Sequence, residues 1–92
     1  MSKIRVALIE DHDLTRVGIR TALQQRQELE VVGEAANASE GLQLLQTVHP
    51  DIAIVDIGLP DKDGIELTRE IKAAASEGEG FTTKVLILTL RD

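Results

Sequence analysis

The chain has 92 residues, 42% of them apolar and 28% charged, a net charge of −6 at pH 7 and no cysteine. That length supports one small core, and the composition is that of a globular protein rather than a disordered tail or a membrane segment. Without cysteine there are no disulfides, no thiolate catalysis and no thiol-ligated metal, and the acidic balance argues against this segment gripping nucleic acid itself. No stretch reaches the apolar length a bilayer needs, and Met1-Ser2-Lys3 runs into a strand-like segment without a signal-peptide pattern, so the expectation is a cytoplasmic protein with no membrane partner.

Taken in order, Ile4-Arg5-Val6-Ala7-Leu8-Ile9 reads as a strand that ends on the acidic pair Glu10-Asp11. Asp13 then predicts an N-cap for an amphipathic helix from Leu14 to about Arg26. Leu14, Val17, Thr21 and Ala22 lie on one side of it, with Arg16, Arg20 and Gln24 on the other. The half-alternating run from Leu29 to Ala35 predicts a more exposed strand at a sheet edge. Asn37-Ala38-Ser39-Glu40 has capping-box spacing and opens a helix to about Val48. Ile52-Ala53-Ile54-Val55, apolar without alternation, reads as a strand buried on both faces, and it delivers Asp56 to its carboxyl end. Gly58, Pro60 and Gly64 punctuate a tight loop, Asp63 with Glu66 offers a cap, and a third helix runs from about Gly64 to Ala75. A polar, Gly-rich connection precedes a last strand from Lys84, which ends at Thr89. The order βαβαβαβ implies right-handed crossovers and a mainly parallel α/β sheet with helices on both faces.

Taken singly, an acid at a strand end is often only a helix cap or a solvated loop residue. Glu10, Asp11 and Asp56 form a sharper pattern, because parallel strands that start together also finish together, at the edge where α/β proteins bind ligands. Clustered carboxylates raise one another's pKa unless a cation neutralises them, and oxygen ligands left partly open to water suit Mg²⁺. Beside such a metal a carboxylate can attack phosphorus and form an acyl phosphate. Thr89 places a hydroxyl at the same edge.

Glu10-Asp11, Asp56-Ile57-Gly58-Leu59-Pro60 with Asp63-Gly64, and Leu88-Thr89 together resemble the receiver domain of two-component response regulators, across the whole chain. The resemblance implies a flavodoxin-like (CheY-like) doubly wound parallel sheet, here four strands ordered 2-1-3-4 with three helices. It implies that Asp56 is the phosphoacceptor, that Glu10, Asp11, Asp56 and the Gly58 backbone carbonyl hold Mg²⁺, and that Thr89 is the switch hydroxyl. It implies a sensor histidine kinase as partner and a signalling role rather than that of an enzyme. Arg16-Val17-Gly18, Val31-Val32-Gly33-Glu34-Ala35 and Pro50-Asp51 are similar to the NarL-like branch, whose members usually carry a C-terminal helix-turn-helix that binds DNA and regulates transcription.

Against that pattern the sequence stops at Asp92, so it is read as a receiver domain over residues 1–92, incomplete at its C-terminus and without an output domain. By the family pattern it is expected to lack the last helix-strand-helix, with the phosphate-contacting Lys and the aromatic switch residue. Lys84 precedes its strand and is expected at the opposite edge, so it does not replace that Lys. Such a chain is expected to expose Ile54, Leu86 and Leu88 and an unpaired strand, and so to form a homodimer, a swapped assembly or aggregates unless the lacking part is supplied in trans. The alternative function is an interaction module that keeps the receiver shape without phosphoryl chemistry. His12 reads as a solvated residue at a helix entrance rather than a metal ligand or proton shuttle, His49 reads as a loop residue, and Asp61-Lys62-Asp63-Gly64 reads as a turn with an N-cap rather than a calcium loop. Aspartyl phosphatases are disfavoured because Gly58 stands where they carry a second Asp.

Overall fold

Hydrophobic runs without alternation need cover on both faces, and this requirement sets the order of the sheet. The computed structural model describes residues 3–76 and 83–88. Its elements are β1 (Ile4–Ile9), α1 (Asp13–Gln24), β2 (Leu29–Ala35), α2 (Ala38–Val48), β3 (Ile52–Asp56), α3 (Gly64–Ser76) and β4 (Lys84–Leu88). The strands pair in parallel in the order β2-β1-β3-β4, which agrees with the expected topology. The apolar β1 and β3 occupy the centre. The half-polar β2, with Glu30 exposed, takes an edge, and a bulge near Val6 and Ala7 shifts its register with β1.

Alternation along each strand divides the side chains between two layers. Ala7, Ile9, Ala53 and Val55 are fully enclosed with Leu45 of α2, Leu59 of the following loop, and Leu67 and Ile71 of α3. Val85 and Ile87 pack against the same layer from β4. Val6 and Leu8 alternate with these residues onto the other face, the side on which α1 lies against β2. Helix α2 comes close to β1 because Gly41 has no side chain: a Cβ there would meet Ile9 Cδ1 at 2.7 Å.

The α1 face departs from expectation. Leu14 is 89% exposed, Val17 is also exposed, and none of the residues of α1 is fully buried among the described residues. Of the three residues expected to be exposed, Leu86 is 56% exposed, whereas Ile54 and Leu88 are half-buried. The expected N-cap of α1 is also corrected. His12 occupies that position without a side-chain capping bond, and Asp13 is the first helical residue, where its charge suits the helix dipole. The helix ends at Gln24, before Arg26.

The other caps form as read. Asn37 Oδ1 accepts the Glu40 N–H at 2.8 Å, and Asp63 Oδ1 accepts the Glu66 N–H at 2.8 Å. The return bond of the Asn37 box runs between side chains, from Asn37 Nδ2 to Glu40 Oε2 at 3.2 Å. Helix α2 has a second cap that no local spacing signals: Asp61, in the loop after β3, accepts the Ala38 and Ser39 N–H groups at 2.8 and 3.0 Å. The loop carrying Asp61 is thereby fastened to the start of α2. The polar connection between α3 and β4 lies largely outside the described residues.

Two outcomes follow from this packing. Gly64→Ala places a Cβ 2.7 Å from the Asp56 carbonyl oxygen and 3.0 Å from Ile57 Cα, main-chain atoms that cannot swing aside. Overpacking of this kind destabilises by about 1–3 kcal/mol, which thermal denaturation will register as a lower midpoint. For Asp61, the Ala38 N–H bond holds its carboxyl below the usual 3.8. A lowered folded-state pKa gives stability that is present above the unfolded value and is lost as pH falls through the folded one. Asp61→Asn therefore lowers the melting midpoint at pH 7 and flattens its fall below about pH 4. An unchanged acid limb in that variant removes Asp61 from the acid response.

Candidate functional site

Strands β1 and β3 are neighbours in parallel register, with Ile9 opposite Val55, so Glu10 and Asp56 emerge side by side at the carboxyl edge. Both are buried, Glu10 to 2% exposure and Asp56 to 8%. Asp11 and His12 follow Glu10 around the turn into α1. One ligand atom from each of Glu10, Asp11, His12 and Asp56 lies within 4.8 Å of the others. The acids expected to converge from sequence are thus brought together.

Carboxylates this close repel, and burial removes the water that would screen them. Burial is the main reason that the Glu10 pKa is raised, and the Asp56 charge adds to it. Bonds from His12 act in the opposite direction: its backbone N–H donates to Glu10 Oε2 at 2.9 Å, and its Nδ1 lies 3.1 Å from the same oxygen. The His12 pKa is raised in turn, first by that bond to Glu10 and then by the charges of Asp11 and Glu10. His12 does stand at the entrance of α1 with its side chain 71% exposed, as expected, but its ring nitrogen is engaged with the acids. His49, in contrast, stays at the C-terminus of α2, far along the chain from this edge, in a left-handed conformation with φ of 47°.

Two buried oxygens here, Glu10 Oε1 and Asp11 Oδ1, have no hydrogen-bond partner among the described residues. His12 Nδ1 approaches the latter at 3.2 Å as a charge contact, without hydrogen-bond alignment. Unpartnered buried carboxylate oxygens are costly, and an oxygen-rich donor set of this kind fits a hard divalent cation such as Mg²⁺. Asp56 is oriented by the turn that follows it, where the Gly58 N–H donates to Oδ1 at 3.1 Å. Lys84 begins β4 opposite Ile52 and donates its N–H to the Asp51 carbonyl, at the other edge, as its place in the sequence implied. Asp61 and Asp63 are engaged as helix caps, in keeping with a turn rather than a calcium loop. Thr89 lies outside the described residues.

Arg16, near this site, lies outside the acid motif that the sequence singles out. It lies on the side of α1 opposite Leu14 and Val17, yet its side chain is only 18% exposed. Its Nη1 donates to the Glu10 carbonyl at 2.6 Å, its Nε to Glu34 Oε1 at 3.2 Å and its Nη2 to Asp13 Oδ1 at 2.7 Å. Arg20 completes the group, donating to Glu34 Oε2 at 2.7 Å. The available signal was a pair of arginines one helical turn apart, before an edge strand whose inner end carries an acid.

No helix among the described residues is long and apolar enough to cross a membrane. A large hollow lined by Lys3, Gln24, Arg26, Glu28 and Glu30 contains none of the clustered acids.

Comparison with known proteins agrees with this geometry. Residues 6–92 match the response regulator receiver domain family. The transcriptional regulatory protein LiaR of Bacillus subtilis is 37% identical over 86 residues, which cover 94% of this chain and 38% of LiaR. The response regulator protein VraR of Staphylococcus aureus is 35% identical over 86 residues, covering 94% of this chain and 39% of VraR. The chain therefore spans about two fifths of the length of these curated relatives. Among solved structures, the signal receiver domain of the response regulator NarL from Mycobacterium tuberculosis superposes with a TM-score of 0.86 at 33% identity, covering 100% of this chain and 70% of that one. A LuxR-family two-component response regulator from Aurantimonas sp. SI85-9A1 gives 0.84 at 36% identity, covering 99% and 61%. With the parallel 2-1-3-4 sheet and the acids gathered at its carboxyl edge, the chain belongs to the response regulator receiver domain family.

Proposed function

We propose that this chain is the phosphoacceptor part of a two-component response regulator, receiving a phosphoryl group on Asp56 from a sensor histidine kinase. The observation that carries the reading is the placement of Asp56 beside Glu10 and Asp11, where two carboxylate oxygens have no partner among the described residues. Glu10, Asp11, Asp56 and the Gly58 carbonyl are the proposed Mg²⁺ ligands. When bound, Mg²⁺ supplies positive charge that lets a phosphoryl group approach the acids. Asp56 Oδ1 is held by the Gly58 N–H, so Oδ2 is the oxygen proposed to react. It bonds to phosphorus as the phosphorus–nitrogen bond of the kinase phosphohistidine breaks, and the released imidazole nitrogen takes a proton from water. The product is an acyl phosphate on Asp56.

The chain acts in this reading as a signalling receiver, not as an enzyme with a substrate of its own. Thr89 is proposed to turn toward the new phosphate, which adds roughly −1.5 to −2 charges and strong acceptor oxygens. An output at transcription is proposed from LiaR, a transcriptional regulatory protein by name, and would need a DNA-binding segment outside this chain. A homodimer and a cytoplasmic location belong to the same proposal.

Incubation with acetyl phosphate and Mg²⁺, followed by intact-mass measurement, is expected to add one phosphoryl group to the wild-type chain and none to Asp56→Asn. Equal labelling of the two would place the acceptor elsewhere. Transfer from a phosphorylated kinase is expected to fail in the same variant. Glu10→Gln keeps the shape and removes one anionic ligand, so it should weaken Mg²⁺ binding by at least the roughly tenfold that loss of an outer-sphere partner costs. Isothermal titration checks this, and undiminished affinity removes Glu10 from the ligand set.

A further inference from the structure

We propose that Arg16 is a positioning residue for the acidic turn, aligning Glu10 and Asp11 for the divalent cation through the Glu10 carbonyl, with Glu34 orienting Arg16. The inference rests on the reading of the site as a Mg²⁺ site, and it concerns residues that the acid motif does not include.

The end of β1 has few independent anchors. The Glu10 N–H is bonded across the sheet to the Ala35 carbonyl at 3.0 Å, which fixes one side of the peptide. The carbonyl on the other side belongs to the peptide that joins Glu10 to Asp11, and it accepts from Arg16 Nη1 at 2.6 Å. Rotation of that peptide would move both carboxylates, because it sits between them. Arg16 therefore holds the one backbone group whose orientation the two proposed ligands share.

A guanidinium performs this task better than an ammonium would. Its planar fork donates in several fixed directions, here to three separate groups: the Glu10 carbonyl, Asp13 and Glu34. Glu34 in turn is held at both oxygens, by Arg16 on one and by Arg20 on the other. Since Glu34 lies on β2, one residue before the Ala35 that bonds Glu10, the same edge of β2 anchors both sides of the turn. The Arg16 side chain is mostly enclosed while that of Asp13 is 87% exposed, so the contacts to the Glu10 carbonyl and Glu34 are the ones protected from solvent.

The test separates positioning from plain stabilisation. The 92-residue chain and its variants Arg16→Lys and Glu34→Gln are titrated with Mg²⁺, and their melting midpoints are measured in EDTA. Arg16→Lys keeps the charge and loses the fork, and is expected to weaken Mg²⁺ binding roughly tenfold, the lower end for loss of an outer-sphere partner. Glu34→Gln leaves Arg16 in place without its charged support and is expected to shift affinity in the same direction by less. Amide chemical shifts of Glu10 and Asp11 in the metal-free variants should move with the affinity loss. A purely structural role would lower the midpoint in EDTA while leaving the Mg²⁺ affinity of the folded chain unchanged, and that result in both variants overturns the proposal. A wild-type chain without Mg²⁺ affinity instead overturns the metal-site reading itself, and this inference with it.

Discussion

Two carboxylates end neighbouring parallel strands, and much of the surrounding structure contains their repulsion. With ligand atoms within 4.8 Å, two full negative charges would repel by roughly 3–4 kcal/mol at an effective dielectric near 20. A small domain has about 5–15 kcal/mol of total stability, so this is a considerable fraction. The remedies are local and visible. The His12 N–H and ring nitrogen both serve one oxygen of Glu10, the Gly58 N–H serves one oxygen of Asp56, and the Glu10 pKa is raised, chiefly by burial and further by the Asp56 charge. They leave Glu10 Oε1 and Asp11 Oδ1 unserved, which is where a divalent cation would contribute most.

What positions these acids is apolar. Ile9 and Val55 are fully buried in the layer under α2 and α3, and each immediately precedes its acid. A one-residue slip of either strand would turn its apolar set to the wrong face, so core burial fixes the register and the register delivers Glu10 next to Asp56. Gly64 matters for the same reason. Its missing side chain lets α3 begin against the Asp56 carbonyl, and its N–H bonds the Ile57 carbonyl at 3.0 Å.

The features legible in sequence were those with local rules. Unbroken apolar runs marked β1 and β3, partial alternation marked β2 as an edge, and three-residue spacing marked the caps at Asn37 and Asp63. The convergence of Glu10, Asp11 and Asp56 was legible because strand direction decides which ends meet. Contacts that depend on how a helix is rotated, or on where a loop folds back, were not. Asp61 had the look of a turn residue, yet its partners are more than twenty positions earlier, at Ala38 and Ser39. In α1 the periodicity offered an apolar face and a charged face, and the ordinary rule buries the first. The structure instead leaves Leu14 and Val17 open and turns Arg16 and Arg20 onto Glu34.

That rotation of α1 divides the site into two mechanical halves. Asp56 belongs to β3, whose neighbours Val55 and Ala53 are sealed in the main core beneath α2 and α3. Glu10 and Asp11 lead into α1, which buries no residue fully and is tied to β2 by ion pairs to Glu34. Partly exposed ion pairs contribute on the order of 1 kcal/mol each, less than the burial of one large apolar side chain. Local opening is drawn from the least stable elements, so α1 and the turn before it should open at lower free energy than β3 does. The nucleophile proposed for phosphoryl transfer is thus on the rigid half, and two of its proposed cation ligands are on the half held by charges. A change of charge at the site acts first on the contacts that are themselves electrostatic. Arg16 joins the acidic turn to β2 through contacts of that kind, to the Glu10 carbonyl on one side and to Glu34 on the other.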